Sequence, residues 1–151
     1  MIRIKYNYDS SEQAFTLTEI LVVLALLGVL ATFTLFISLD YYRSATLRSE
    51  RDTVVTILEK ARSQSMNNID QSPHGLHITT SSYILFEGST WASRAQALDI
   101  SFPVSGGVTA TGNDIIFSQL SGATTAATIY LTDLNGKQLP VSVNSEGAID
   151  W

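Results

Sequence analysis

Twenty consecutive residues without a charge, Ile20–Leu39, constrain this chain more than any other feature of its sequence. A helix needs about 20 predominantly apolar residues to cross the hydrocarbon core of a bilayer. The run is interrupted by Thr32, Thr34 and Ser38, whose hydroxyls can bond back to carbonyls one helical turn earlier. The run therefore predicts a membrane-inserted helix, and it holds much of the apolar content of a chain with only 15% charged residues.

Three kinds of segment contain an apolar run of this kind. A cleaved secretory signal would have an apolar core of about 7–15 residues followed by a small-x-small site, and Asp40–Arg43 offers no such site. A single-pass anchor unrelated to filaments fits the length. The third interpretation depends on the residues immediately upstream of the run, Ala14–Glu19.

An acidic residue, Glu19, directly precedes the apolar run. A carboxylate at the edge of a membrane segment is costly without a partner, so Glu19 is a candidate functional residue. If the chain is cut between Ala14 and Phe15, the new α-ammonium of Phe15 lies four residues from Glu19, one helical turn away on the same face. An α-amine has an ordinary pKa of about 7.7–8.0, so it would carry a charge at neutral pH. Glu19 could compensate that charge within one subunit or between stacked subunits.

The segment Phe15–Glu19, with the sequence FTLTE, and the apolar run after it resemble the class III signal of type IV pilins and type II secretion pseudopilins. The resemblance implies a prepilin leader over Met1–Ala14, cleavage between Ala14 and Phe15 by a prepilin peptidase, and N-methylation of Phe15. It also implies that Glu19 brings subunits into register in a growing filament. Ala14 stands where the family usually has Gly.

The same resemblance implies a location, a set of partners and a fold. The partners are the prepilin peptidase, other pilin or pseudopilin subunits bound through the N-terminal helix, the inner-membrane assembly platform and membrane lipid. The protein would cross the cytoplasmic (inner) membrane once, with its C-terminal head outside, and then enter a periplasmic or extracellular filament. The fold would be the α+β type IV pilin fold, in which a long N-terminal helix, transmembrane and then amphipathic, packs on a small antiparallel β head.

Beyond Leu39 the apolar pattern becomes one-sided. A stripe of apolar or small residues recurs at the spacing of one helical face, and this helical stripe consists of Leu47, Val54, Leu58, Ala61 and Ser65. We interpret it as the seam between the helix and its own β-sheet, rather than a site for a partner helix, with the helix continuing to Asn67. The domain plan is then a leader at 1–14, an assembly helix at 15–39, an amphipathic helix at 40–69 and a β-rich globular head at 70–151.

The head reads as short strands separated by turn signals. Asn135-Gly136 is a hairpin-turn signal, and Ser145–Gly147 is a second turn. Pro140 removes a ladder donor, which predicts an edge position or a bulge, and Ser121–Ala127 is expected to be an exposed, mobile loop. The predicted strands are Gly75–Thr79, Tyr83–Glu87, Ile100–Val104, Val108–Thr111, Asp114–Gln119, Thr128–Asp133, Gln138–Val143 and Ala148–Trp151.

A subgroup is also indicated. Ala61–Ser65 at the end of the helix, followed by β segments with turns at Gly136 and Gly147, is similar to H-type minor pseudopilins and FimT-type minor pilins. This implies a minor subunit that primes or caps a type IV pilus or a type II secretion pseudopilus. A DNA-capturing minor pilin for natural transformation is an alternative. Nine acidic but only four basic residues follow Arg51, and such an acidic domain repels phosphate chains, which argues against a nucleic-acid partner.

No motif indicates catalysis, a metal or a cofactor. The chain has no cysteine, no Gly-x-Ser-x-Gly and no phosphate-binding Gly-rich loop. His74 and His77 are three residues apart, which places them on opposite faces of a strand and argues against a shared metal. Asp133–Gly136 has oxygen ligands at alternate positions, but a hairpin turn explains it better than calcium does. Trp91 and Trp151 could be binding anchors or core residues. We therefore expect a structural protein and not an enzyme.

Overall fold

A computed structural model describes residues 15–151 of the protein, and for residues 34–39 it describes the backbone only. The predicted leader, Met1–Ala14, lies outside the described residues. One long helix, α1, runs over Leu17–Met66, close to the predicted bounds. The chain divides into two structural units after Leu39.

In the first unit, apolar side chains surround the helix. The consecutive residues Ile20, Leu21, Val22 and Val23 are 52%, 56%, 55% and 49% exposed. Four consecutive residues cover the whole circumference of an α-helix, so over this stretch the described chain covers no face of α1. The predicted span, Ile20–Leu39, extends into the residues whose side chains are not described.

Within the described part of the chain, no helix combines the length and the apolar character that crossing a membrane requires.

In the second unit, α1 has one deeply buried face. All five residues of the helical stripe are completely inaccessible to solvent, which confirms the predicted seam between helix and sheet. The buried face also includes Val55 and Ile57. The helix ends at Met66, within one residue of the predicted end at Asn67, and Asn68 then adopts a left-handed backbone conformation with φ of 54°.

The second unit contains eight strands, and each of them lies within two residues of a predicted one. Their bounds are β1 His74–Ile78, β2 Ser82–Glu87, β3 Ile100–Pro103, β4 Val108–Thr111, β5 Ile115–Phe117, β6 Ala127–Asp133, β7 Gln138–Val143 and β8 Ile149–Asp150.

The strands form two antiparallel sheets of four. The strand order is β3-β2-β1-β5 in the first sheet and β4-β6-β7-β8 in the second. Side chains from both sheets, such as Leu76 and Phe117 of the first and Ile129 and Val141 of the second, join the helical stripe in one buried core. The fold is therefore α+β, with the long helix packed against antiparallel sheets.

The predicted turns are present. The Asp133 amide donates to the Lys137 carbonyl at 3.0 Å and closes the hairpin around Gly136, whose φ is 81°. The Asn144 amide donates to the Ala148 carbonyl at 3.0 Å around Gly147, whose φ is 78°. Pro140 lies opposite Tyr130, and β8 reaches only Ser142 and Val143 on the other side of β7. Pro140 is therefore at a local sheet edge, as predicted.

The predicted exposed loop Ser121–Ala127 is partly buried. Gly122 is buried, and a Cβ placed there would lie 2.7 Å from Cγ of Met66 at the end of α1. The Ser118 amide donates to the Ala123 carbonyl at 2.7 Å, and the Leu120 amide donates to the Ser65 carbonyl at 2.9 Å. The loop is short of apolar residues, but its backbone packs on the helix end, which composition does not reveal.

Two glycines with nearly equal φ give a matched test of this packing. A Cβ on Gly136 would have no atom within 4 Å, whereas a Cβ on Gly147 would lie 2.0 Å from the Gly122 carbonyl oxygen. Gly136→Ala should cost about 1–2 kcal/mol for the left-handed backbone alone. Gly147→Ala should cost about 1–3 kcal/mol more because it also overpacks the turn. Denaturant unfolding followed by tryptophan fluorescence measures both, and equal losses would contradict the described packing of the two turns.

Candidate assembly site at the helix start

The start of α1 is capped by Thr16. The Glu19 amide donates to Oγ1 of Thr16 at 3.2 Å, and the Ile20 amide donates to the Thr16 carbonyl at 3.2 Å. Threonine at the N-cap and glutamate three residues later form the capping-box sequence. The sequence thus fixes the first turn of the helix immediately after the predicted cleavage point.

Glu19 lies in this first turn and is exposed. In the part of the chain that the structure describes, its carboxylate has no hydrogen-bond donor and no basic partner. A carboxylate at a helix N-terminus is stabilised by the helix dipole by about 0.3–1 kcal/mol. A carboxylate is therefore favourable at this position, and it remains available to a cation from another source.

Of the predicted site residues, the structure describes Phe15 and Glu19 but not Ala14. Phe15 is 75% exposed and lies just before the helix. Glu19 follows four residues later, in the capped first turn. Ala14, the residue before the predicted cut, lies outside the described residues. Cleavage at Ala14/Phe15, methylation of Phe15 and the register role of Glu19 stay predictions.

Comparisons with known proteins address this segment and the head separately. Residues 9–35 match the model of the prokaryotic N-terminal methylation motif, a range that includes Ala14, Phe15 and Glu19. The structure is similar to the minor pseudopilin EpsH from the type 2 secretion system of Vibrio cholerae, with a TM-score of 0.51 at 11% identity. That match covers 72% of this chain and 94% of the EpsH chain. Motif and fold together support a type IV pilin-like protein.

The two matches are of different kinds. The motif concerns the N-terminal segment of the pilin-like protein, and at 11% identity the likeness to EpsH shows the fold alone. No curated protein sequence is significantly similar to the chain. The role that fits motif and fold together is that of a pilin or pseudopilin subunit.

The other sequence candidates lie in the head of the pilin-like protein. His74 and His77 face opposite sides of β1, as their spacing predicts: His74 is buried, whereas Nδ1 of His77 lies 2.6 Å from Oδ1 of Asp114. The His77 ring stacks on Trp91 with ring centroids 3.7 Å apart. Trp91 is thus a half-buried packing residue, and Trp151 is 54% exposed.

The oxygen-rich segment Asp133–Gly136 is a hairpin turn. Oδ1 of Asp133 accepts hydrogen bonds from the amides of Asn135 and Lys137, each at 2.8 Å. The Asn135 side chain accepts a bond of 2.9 Å from Nη1 of Arg43 on α1. The hairpin interpretation is therefore confirmed, and these polar groups connect the second sheet to the helix.

Sequence reasoning missed a buried acid. Glu50 is 2% exposed, and its Oε2 accepts a bond of 3.3 Å from the Ser105 amide. Position 50 falls between Leu47 and Val54 of the helical stripe at helical spacing, which was the available signal. The Tyr83 hydroxyl is buried near this carboxylate. Burial first, and the Glu50 charge second, raise the pKa of Tyr83 far above its usual range.

This environment predicts a pH dependence. In the unfolded chain Tyr83 ionises near pH 10, whereas in the folded chain it stays protonated at higher pH. The free energy of unfolding is therefore unaffected by this group below pH 10 and falls as the pH rises above 10. The loss by pH 11 should be about 1.4 kcal/mol. Tyr83→Phe should remove it, and Tyr130→Phe, at a tyrosine 46% exposed, should not. Unfolding free energies at pH 8 and 11 measure the effect; identical losses in wild type and Tyr83→Phe would refute it.

Proposed function

We propose that the protein is a minor pilin or pseudopilin subunit, cut between Ala14 and Phe15 by a prepilin peptidase, N-methylated at Phe15 and assembled through α1. The observation that carries the proposal is the exposed Glu19 carboxylate, which has no partner among the described residues and follows Phe15 by four positions. It lies at the start of a helix whose apolar side chains are uncovered around its circumference. Both features call for other molecules: lipid or neighbouring helices for the apolar surface, and a cation for the carboxylate.

Charge pairing would set the register between subunits. At 4 Å, opposite unit charges attract by about 1 kcal/mol in water but by about 4 kcal/mol at an effective dielectric constant of 20. Pairing of Glu19 with a Phe15 amine is therefore much stronger inside a helix bundle than on an exposed surface. A subunit displaced along the bundle would leave the carboxylate desolvated and unpaired, which is strongly unfavourable.

The proposed location follows from this assembly route. Before assembly, the protein crosses the cytoplasmic membrane once with its head outside, and the apolar part of α1 contacts lipid. The inner-membrane assembly platform then transfers it to a periplasmic or extracellular filament, where neighbouring subunits replace lipid around the helix. The fold similarity to a minor pseudopilin supports a minor subunit, at the start or tip of a pilus or a type II secretion pseudopilus.

DNA capture is not favoured by the head. Arg94, one of its few basic residues, donates from Nε to Oδ2 of Asp99 at 2.8 Å, and its guanidinium lies 3.5 Å from the Trp91 ring centroid. A guanidinium engaged in this way contributes little to a phosphate-binding surface. We therefore propose the role of a filament subunit rather than DNA capture.

Substitution of Glu19 tests the register role against simple helix capping. Glu19→Gln keeps the size and hydrogen-bonding capacity of a capping residue but removes the charge. We expect Glu19→Gln to lower incorporation into sheared filaments at least about tenfold, equivalent to about 1.4 kcal/mol, while the amount in the membrane fraction stays unchanged. Quantitative immunoblots of both fractions measure this.

The matched control is Asp40→Asn, at an exposed acid immediately beyond the apolar run, which should assemble normally. Wild-type incorporation of Glu19→Gln would show that the residue acts only as a cap. Absence of the wild-type protein from sheared filaments, together with unaltered membrane insertion of Glu19→Ala, would favour a single-pass anchored protein unrelated to filaments.

A further inference from the structure

A cluster of three potential metal ligands lies in the head, away from the assembly site. One ligand atom from each of Asp70, His74 and Glu87 lies within 4.8 Å of the other two. His74 and Glu87 are opposite one another in the β1–β2 ladder. Asp70 lies in the 3₁₀ turn Ile69–Gln71, which connects α1 to β1. The β-hairpin thus brings together residues that are distant in sequence.

The surrounding structure fixes the histidine. His74 is only 4% exposed, and its amide donates to Oγ of Ser65 at 2.8 Å. Ser65 is itself completely buried at the end of the helical stripe. The histidine backbone is therefore held between the end of α1 and the first sheet, and the imidazole has little freedom to move into water.

Two buried polar atoms at this place have no partner in the described part of the chain. They are Nδ1 of His74 and Oε1 of Gln64. Neither Asp70 nor Glu87 makes a side-chain hydrogen bond or ion pair with another described residue. Buried polar groups are normally paired, so each exception requires an explanation.

A common cavity of about 190 Å³ is lined by Gln64, Asp70, His74 and Glu87. Its other walls are apolar and consist of Leu85, Phe86, Leu98 and Ile100. The cavity is large enough for an ion with bound water. Two acidic side chains and one imidazole face a partly apolar space, and a divalent cation would be attracted to such a set of ligands.

The ligand chemistry selects the kind of ion. Imidazole nitrogen with carboxylate oxygens is a ligand set for Zn²⁺, whereas Ca²⁺ and Mg²⁺ prefer oxygen alone. Tetrahedral ligands about 2.1 Å from Zn²⁺ lie about 3.4 Å apart, so the three ligand atoms, now within 4.8 Å of one another, would have to approach by up to about 1.4 Å on binding. Gln64 or water can supply the fourth ligand.

We propose that Asp70, His74 and Glu87 bind one divalent transition-metal ion of the Zn²⁺ class in this cavity. The ion joins the α1–β1 connection to the β1–β2 ladder and so fixes the helix end on the first sheet. Its role is structural, since it stabilises the folded head through binding. The sequence-based expectation of no metal paired His74 with His77 alone, whereas the partners of His74 are acids from two other segments.

Zn²⁺ titration of the full chain in detergent, freed of metal by a chelator, tests the proposal. We expect one Zn²⁺ per chain by calorimetry and a rise in Tm on its addition, with no comparable binding of Ca²⁺ or Mg²⁺. Glu87→Gln and Asp70→Asn keep side-chain size and should each weaken Zn²⁺ binding at least about tenfold. Co²⁺ should give a visible absorption band in the wild type that these variants lose.

The control variants are His77→Gln and Asp114→Asn, the other histidine–carboxylate pair of the head, which should bind Zn²⁺ within about twofold of wild type. Asp70 is exposed, so Asp70→Asn should fold normally even if Glu87→Gln does not, and circular dichroism without metal checks this. No Zn²⁺ binding by the wild type, equal binding by Asp70→Asn, or equally tight Ca²⁺ binding would each overturn the proposal.

Discussion

Burial of one face of α1 against both sheets is the contact on which the rest of the structure depends. Leu47, Val54 and Leu58 lie in the same core as side chains from both sheets, so the helix is the common support of two sheets. At its end, Ser65 accepts a bond from the His74 amide through its hydroxyl and from the Leu120 amide through its carbonyl. Losing this contact would therefore disturb both the start of β1 and the turn that follows β5.

The same helix has two kinds of surface along its length. In the second unit one face is fully buried, whereas at Ile20–Val23 in the first unit the side chains all around it are about half exposed. Exposed apolar surface of this extent is unfavourable in water, so the first unit requires lipid or other helices. In the proposed route from membrane to filament, lipid and then neighbouring subunits cover this surface, and the capped first turn places Glu19 at its start.

The sequence was informative wherever the signal is local. Alternating β-branched residues and turn glycines such as Gly136 and Gly147 predicted all eight strands, and helical spacing predicted the buried stripe. Strand order was not predicted, because the pairings of β1 with β5 and β4 with β6 join segments without a shared turn. The same limit applies to side-chain clusters. Glu50 with Tyr83, and Asp70 with His74 and Glu87, meet only after the helix and sheets pack.

The central claim is that Glu19 meets an amine that exists only after the chain is cut before Phe15. Mass spectrometry of the N-terminal peptide, on protein isolated from cells with and without the prepilin peptidase, tests it most directly. With the peptidase, the account predicts a chain that begins at N-methylated Phe15; without it, residues 1–14 remain attached. Filament-associated protein that retains those residues, or begins elsewhere, would contradict the account.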